Sequence, residues 1–391
     1  MRSAVSTIAT LLPRAALVVA AVAAAGCVEH LPPIDETTSL AVELVAPTDP
    51  GSPDQRLDDS ARTVMVKVTA KDAQNQVDTS VTRQVQVYAQ FLGTLTPAHD
   101  AAIPLATIDL TAGVSGTATV NLPPVFGPTT LWVEDGGPGG SYAVGASPTL
   151  WFRDPHVADI STPRDPMALD ALSASPLQNK QVTVSSSRYG DRGRLVITGT
   201  YAQGYSVSDV ECADATGAPP CVSGDYDHVL VFSFSRPKDE QGRNLAAGQF
   251  IDGFAGGVSE FNGLTEMSFP QTFADDTSVD EARIPPPAVV QASWFSDPIE
   301  FEKHESSPIA IEGATVCPLD ADYTTYKQWK LDLGRGCGTA INVITAGVVE
   351  FDPAAKVGMP VTRVVGILRP VNIGSFNVWI IYPRDSRDLV P

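Results

Sequence analysis

Chemistry in a protein needs a few reactive side chains at short range, and here the candidates are histidines, serines and acids. The five histidines, His30, His99, His156, His228 and His304, are scattered along the chain. No pair has the spacing of metal ligands or of a catalytic couple on one element. There is no G-x-S-x-G nucleophile elbow, no H-E-x-x-H zinc helix, no phosphate-binding loop and no EF-hand loop. Ser259, two residues after Gly257, is the serine closest to such a glycine setting, but it falls in an expected strand and lacks the second glycine. Asp275, Asp276, Asp280 and Glu281 make one acidic loop, and Asp320 with Asp322 another. Oxygen-rich loops suit calcium, yet in a chain of 45 acidic and 26 basic residues solvated acidic loops are the expectation. No catalytic residue, metal or other cofactor is assigned. A non-enzyme is expected, with an unrecognised hydrolase as the reading held against it.

The cysteines say more. Cys27 ends an apolar segment, and Cys212, Cys221, Cys317 and Cys337 lie in the body. Arg2 and Arg14 are the only charges before Cys27, and Ala15 to Gly26 is an unbroken apolar run of twelve residues. A spanning helix needs about 20, so this run reads as the core of a secretory signal. Secretion places the four later cysteines where disulfides persist. Of the three connectivities open to four cysteines, two local pairs, Cys212–Cys221 and Cys317–Cys337, are the simplest. Loop entropy gives them ~2.7 and ~3.3 kcal/mol. A metal site would want C-x₂₋₄-C spacing with a histidine nearby.

The series Ala24-Ala25-Gly26-Cys27 resembles the lipobox of bacterial lipoproteins, with Ala24 where leucine is commonest. That resemblance implies loss of residues 1–26 and fatty acylation of Cys27 as the mature N-terminus. Val28, in place of the aspartate that retains such lipoproteins in the inner membrane, implies the outer membrane, facing the periplasm or the cell surface. Several acyl chains, at ~0.8 kcal/mol per buried CH₂, anchor stably. Without Arg2 and Arg14 the mature chain keeps 24 basic against 45 acidic residues, a charge of −21 in place of −19. Anionic membrane surfaces repel such a chain, so the lipid must hold it. Residues 27–37 form a tether reaching roughly 35 Å.

The body must then be built to position whatever it binds. Hydrophobic residues make 43% of the chain, enough for cores, while 31 Gly and 32 Pro interrupt any long helix. Residues 38–155 alternate with period two. Val64, Val66 and Val68 share one face; Val85, Val87, Ala89 and Phe91 share another. Some seven short strands predict a β-sandwich, similar in organisation to bacterial Ig-like domains without their cysteines. Trp132 and Trp151 are expected in its core. Residues 156–185 are a connector with Pro163, Pro166 and Pro176, and Met167 to Ala174 adds a turn of helix.

Residues 186–286 hold five expected strands: Gly193–Tyr201, Tyr205–Val210, His228–Phe234, the glycine-kinked Phe250–Phe261, and Leu264–Phe269. Five strands with a kinked member predict an OB-type Greek-key barrel. The stretches Val196-Ile197-Thr198-Gly199, Tyr205-Ser206-Val207-Ser208-Asp209 and Gly257 to Thr265 resemble the OB-like barrels beside secreted bacterial nucleases. The likeness implies a barrel, and the nuclease's own metal-binding and acid/base residues are absent. Residues 287–391 repeat the pattern through Pro308–Glu312, Tyr326–Leu333, Ala340–Ile344, Val361–Leu368 and Phe376–Tyr382. Phe301 to Glu305 and Trp379 to Asp385 are also similar to those nuclease-associated regions. The expected fold class is therefore all-β: an Ig-like sandwich followed by one or two OB-like barrels.

OB barrels bind ligands on the face of their second and third strands. Tyr205, Phe232, Phe234 and, just beyond, Arg236 are the candidate ligand-binding residues there. Single-stranded nucleic acid would need such aromatics inside a positive groove. From Gly224 to Arg243, however, Arg236, Lys238, Arg243 and His228 are balanced by Asp225, Asp227, Asp239 and Glu240. The leading expectation is a lipid-anchored binding or scaffolding module for an envelope protein or glycan, and the alternative is a nucleic-acid-binding accessory lipoprotein.

Overall fold

The computed structural model describes residues 37, 39–91, 103–135, 143–165, 174–346, 350–373 and 376–390 of the chain. The signal segment, Cys27, His30, His99 and the expected helical turn as far as residue 173 lie outside the described residues.

The first unit comprises β1 (Ser39–Ala46), β2 (Thr63–Lys71), β3 (Arg83–Phe91), β4 (Ala106–Leu110), β5 (Ala118–Asn121), β6 (Pro128–Asp135), β7 (Val144–Ala146) and β8 (Leu150–Trp151). They form one sheet in the order β1-β2-β5 and another in the order β4-β3-β6-β7, with β8 also on β6. Period two decides the core: Val64, Val66 and Val68 from one sheet share a buried cluster with Val85, Val87, Leu131 and Val133 from the other. The same parity corrects the expectation for the tryptophans. Leu131 and Val133 face inward, so Trp132 between them faces out, half-buried, its indole donating to Glu134 Oε2 at 3.1 Å. Trp151, flanked by buried Leu150 and Phe152, likewise lies outside, beneath the Arg56 guanidinium.

The connector is part of the next core. Its helix α1 (Val157–Ser161) buries Val157 and Ile160 against the second unit, and its strand β9 (Gln181–Val184) joins that unit's sheet. The rest of the unit is β10 (Gly193–Tyr201), β11 (Gly204–Glu211), β12 (His228–Phe232), β13 (Phe250–Ile251), β14 (Gly253–Phe261) and β15 (Leu264–Phe273), in the order β13-β10-β11-β12-β15-β14-β9. β10, β11 and β12 meander antiparallel, and the β14–β15 hairpin returns to place β15 parallel to β12. This is a Greek-key connection curled into a partly open barrel. The expected strand from Phe250 to Phe261 divides at Asp252: β13 pairs with β10, β14 with β15 and β9.

A short helix, α2 (Pro298–Glu302), leads into the third unit. This contains β16 (Ala288–Val289), β17 (Pro308–Val316), helix α3 (Ala321–Tyr326), β18 (Gln328–Asp332), β19 (Ile341–Ile344), β20 (Pro360–Ile373), β21 (Phe376–Tyr382) and β22 (Leu389–Val390). Tyr326, expected in a strand, ends α3, and Lys327 takes a left-handed cap before β18. β17, β18 and β19 meander, β21 lies parallel to β19, and β20 pairs with both β21 and β17, closing a ring. Five strands of each unit, β10-β11-β12-β15-β14 and β17-β18-β19-β21-β20, share one order and pairing sense, while the edge strands differ and only the third unit closes through β17–β20. In the third unit, Gly366 permits the close approach of β21: a Cβ there would stand 2.6 Å from the Tyr382 carbonyl carbon.

Both local disulfides form, Cys212–Cys221 and Cys317–Cys337. The first lies in a small cluster of its own with Val196, Val210 and Phe250.

Candidate functional site

The parity of β11 and β12 separates the four expected ligand residues. Tyr205 and Val207 face the barrel interior with Val229 and Val231. Tyr205 is fully buried and shares a 2.7 Å hydrogen bond with Thr272 Oγ1, and burial pushes its phenol pKa far up. It belongs to the core and does not reach the candidate surface. His228, Leu230 and Phe232 alternate onto the outer face. His228 and Leu230 are buried there, with Ser161 of α1 donating to the His228 carbonyl at 2.5 Å, while Phe232 is only half-buried.

There the chain exposes rings. Phe232 meets Phe234 edge-on at 5.2 Å, and Phe234 meets Phe269 at 5.2 Å. Phe234 and Phe269 are 66% and 73% exposed. Phe269 was not among the expected site residues, because it belongs to a β-bulge. Ala255 pairs with Gln271 and Gly257 with Ser268, so Phe269 and Pro270 on β15 stand opposite Gly256 alone. Phe269 takes a left-handed φ of +54°. This costs a bulky residue roughly 1–2 kcal/mol, and it precedes a proline, which itself disfavours helical backbone. Gly256 makes the bulge fit, since a Cβ there would lie 2.9 Å from the Ser268 carbonyl.

Just past Phe234 in the chain, Arg236 and Lys238 are exposed and form no ion pair among the described residues. Most of their neighbours' charges are spent elsewhere. Arg243 is held by Asp239 at 2.5 Å, Asp227 by Arg188 at 2.8 Å, and Asp225 lies 3.7 Å from Lys303. His228 is neutral, its pKa pushed down to about 3 by burial and by His304 and Arg188. The balanced charge count of the sequence thus resolves into two unpaired cations, Arg236 and Lys238, and one acid without an ion pair among the described residues, Glu240, close along the chain to Phe232 and Phe234.

A second polar cluster is closed to solvent. Ser208 Oγ lies 2.7 Å from His228 Nδ1, with both residues buried. Nearby, Asp227 Oδ2 accepts from Tyr189 at 2.5 Å, Arg188 at 2.8 Å and the Gly224 amide at 2.6 Å. Burial pushes Asp209 up to about 6 and, with the bond to Asp227, Tyr189 up to about 12. A serine–histidine contact can activate a nucleophile, but both residues of this one are buried in the barrel wall. Ser259 bonds to Ser268 at 2.8 Å, with no histidine among its hydrogen-bond partners. Two small cavities lie apart from both clusters. One of about 190 Å³ is lined by Phe126, Asp154, Gln181 and Thr183, and one of about 110 Å³ by Glu281, Arg384 and Arg387. Small-molecule sites run to roughly 300–1,000 Å³.

The acidic loops hold protein cations. Asp320 and Asp322 both reach Lys330, Asp276 lies 3.6 Å from Arg283, and Glu281 pairs with Arg387. Among the described residues no group of three or more His, Cys, Asp or Glu is placed to hold a metal ion, and no helix is long and apolar enough to cross a membrane.

Fold and surface define a class: an all-β protein of one sandwich and two Greek-key barrel units, with an exposed aromatic patch on the first barrel. Comparison with family models, with curated proteins and with solved structures returns no significant match to this chain.

Proposed function

We propose that this is a lipid-anchored envelope protein of the outer membrane, a non-catalytic module that binds a protein or glycan partner through Phe232, Phe234 and Phe269. One observation carries the reading: Phe269 is turned outward at a cost in backbone strain, onto a cluster that already exposes Phe234. Strain is retained where it serves a site, and exposed aromatic clusters mark interaction surfaces. Aromatic anchors dominate binding energy, each worth 2 kcal/mol or more when truncated at a well-packed centre (about thirtyfold in affinity). The test is capture from envelope extracts by the purified protein. Retention is expected for wild type and a loss of tenfold or more for Phe234→Ser. Equal retention by both would remove the patch from the function. Fatty-acid labelling of wild type and Cys27→Ala tests the anchor, with incorporation expected only in wild type.

The two unpaired cations support a second reading, an accessory that binds single-stranded nucleic acid by stacking and phosphate contacts. It requires binding that weakens steeply with salt. No binding of single-stranded DNA at low salt would dismiss it.

A further inference from the structure

The seam between the two barrel units contains three glutamates without a cation to balance them. Glu302 ends α2 and Glu305 follows in the turn before β17, while Glu260 sits near the tip of the β14–β15 hairpin. Glu305 Oε1 accepts from the Thr265 amide at 2.9 Å, and Thr265 Oγ1 donates to Glu260 Oε1 at 2.9 Å. Glu260 Oε1 also takes the Ser175 amide at 2.8 Å. That leaves Oε2 of Glu302 and Oε2 of Glu305 buried with no hydrogen-bond partner among the described residues. An ionised carboxylate in that state is costly, whereas a protonated one becomes a donor and restores a bond.

We infer that Glu260, Glu302 and Glu305 form a proton-dependent latch across the barrel–barrel seam, closed while the cluster holds its protons and loosened when it ionises.

The connector, which reaches Glu260 through the Ser175 amide, carries Lys180, and four further elements bring charged or titratable groups. The β14–β15 hairpin contributes Glu260 and Glu266. Helix α2 and its turn contribute Glu300, Lys303 and His304, the last stacked on Trp294 at 4.8 Å. The loop before β12 contributes Asp225 and Tyr226, and β20 contributes Arg369. Lys303 is ion-paired, and Arg369 has ring contacts but no hydrogen-bond partner for its Nε and Nη2 among the described residues. Lys303 pairs with Glu300 at 2.6 Å and Asp225 at 3.7 Å. Arg369 lies over the rings of Tyr201 and Tyr382, and its field reaches Glu266. Burial, with repulsion from Glu260, pushes Glu302 up to about 8. Burial, with Glu302 and Glu260, raises Glu305 well above the carboxylate range, and burial raises Glu260. Like charges drawn together out of water ionise late. The same carboxyls released to solvent would titrate near 4.5, so each pH unit between those limits shifts the balance toward the loosened seam by up to tenfold per proton lost.

Amide hydrogen exchange on the full-length chain at pH 5 and pH 8.5, corrected for the intrinsic rate, reads the latch directly. The Thr265 amide bonds to Glu305, and the Tyr226 amide bonds across the seam to the Lys303 carbonyl at 2.9 Å. Their protection is expected to fall tenfold or more at pH 8.5, while amides within β11 and β18 stay within twofold. Glu302→Gln and Glu305→Gln, neutral at both pH values, should each keep Thr265 and Tyr226 protected at pH 8.5. Glu312→Gln, exposed on β17, should respond as wild type does. The latch is overturned if wild-type protection is the same at both pH values, or if the two glutamine variants lose it as wild type does. Should one glutamine variant not fold, the other variant and the wild-type comparison still decide.

Discussion

At the scale of single residues, orientation matters more than type. Tyr205 and Phe232 lie on adjacent strands, yet one is core and the other surface, because β11 and β12 pair with Tyr205 opposite Val231. That outcome was legible in the alternation of valines around them. Phe269 was not, since a bulge resets the parity of its strand and leaves no mark in hydrophobic periodicity. Its strain gives a prediction. Asparagine tolerates the left-handed region, so Phe269→Asn should raise unfolding stability by about 1 kcal/mol while abolishing partner capture. Urea denaturation alongside the capture assay measures both, and lower stability with intact capture would make Phe269 a structural residue. His228 gives a second prediction. It titrates near 3 in the fold against 6.5 when exposed, so below pH 6.5 the unfolded chain takes up a proton that the folded one refuses. Stability should fall as pH drops from 6.5 toward 3, and His228→Asn should flatten that slope in denaturation curves recorded across the range.

Among elements, the hairpin β14–β15 carries the most consequence. The glycines that mark it as kinked in the sequence have separate tasks, and Gly256 is the one that admits the bulge. In Gly256→Ala the new methyl would meet the Ser268 carbonyl at 2.9 Å. A loss of about 2 kcal/mol is expected from such overpacking, read as a lower urea midpoint with an unchanged slope. The pairing of the cysteines was legible from spacing alone, because short loops close most easily. Cys317–Cys337 ties the end of β17 to the loop between β18 and β19, enclosing α3 and β18. Cys317→Ser with Cys337→Ser should cost about 3 kcal/mol in the same measurement. The connector from 156 to 185 reads as a linker by its prolines, yet Val157, Ile160, Val182 and Val184 are core residues of the first barrel. Short apolar segments between prolines carry too little period to declare a partner.

For the whole molecule, the barrel seam sets the response to pH. Glu302 and Glu305 hold protons in the fold that the unfolded chain gives up near 4.5. Between 4.5 and about 8 the unfolded state therefore releases protons first, and these groups make stability fall as pH rises through that window. His228 acts in the opposite sense below 6.5. The two trends oppose each other between 4.5 and 6.5, so maximal stability is expected there, with a decline on both sides in melting temperature recorded against pH. Arg369 also ties the units, with its guanidinium 4.2 Å from the Tyr201 ring centre and 4.7 Å from that of Tyr382.

What the sequence determined by itself is the all-β class, both disulfides and most of the longer strands of each barrel. These rest on period-two alternation, glycine and proline punctuation, and loop length, all of them local properties of the chain. The tertiary structure alone decided which rings reach solvent, which cations stay unpaired, and which carboxyls meet without a counterion. Phe269 joins Phe234 through a bulge between strands, and Glu305 meets Glu260 across a seam between units. Such contacts join residues far apart along the chain, and no local pattern records the distance between them.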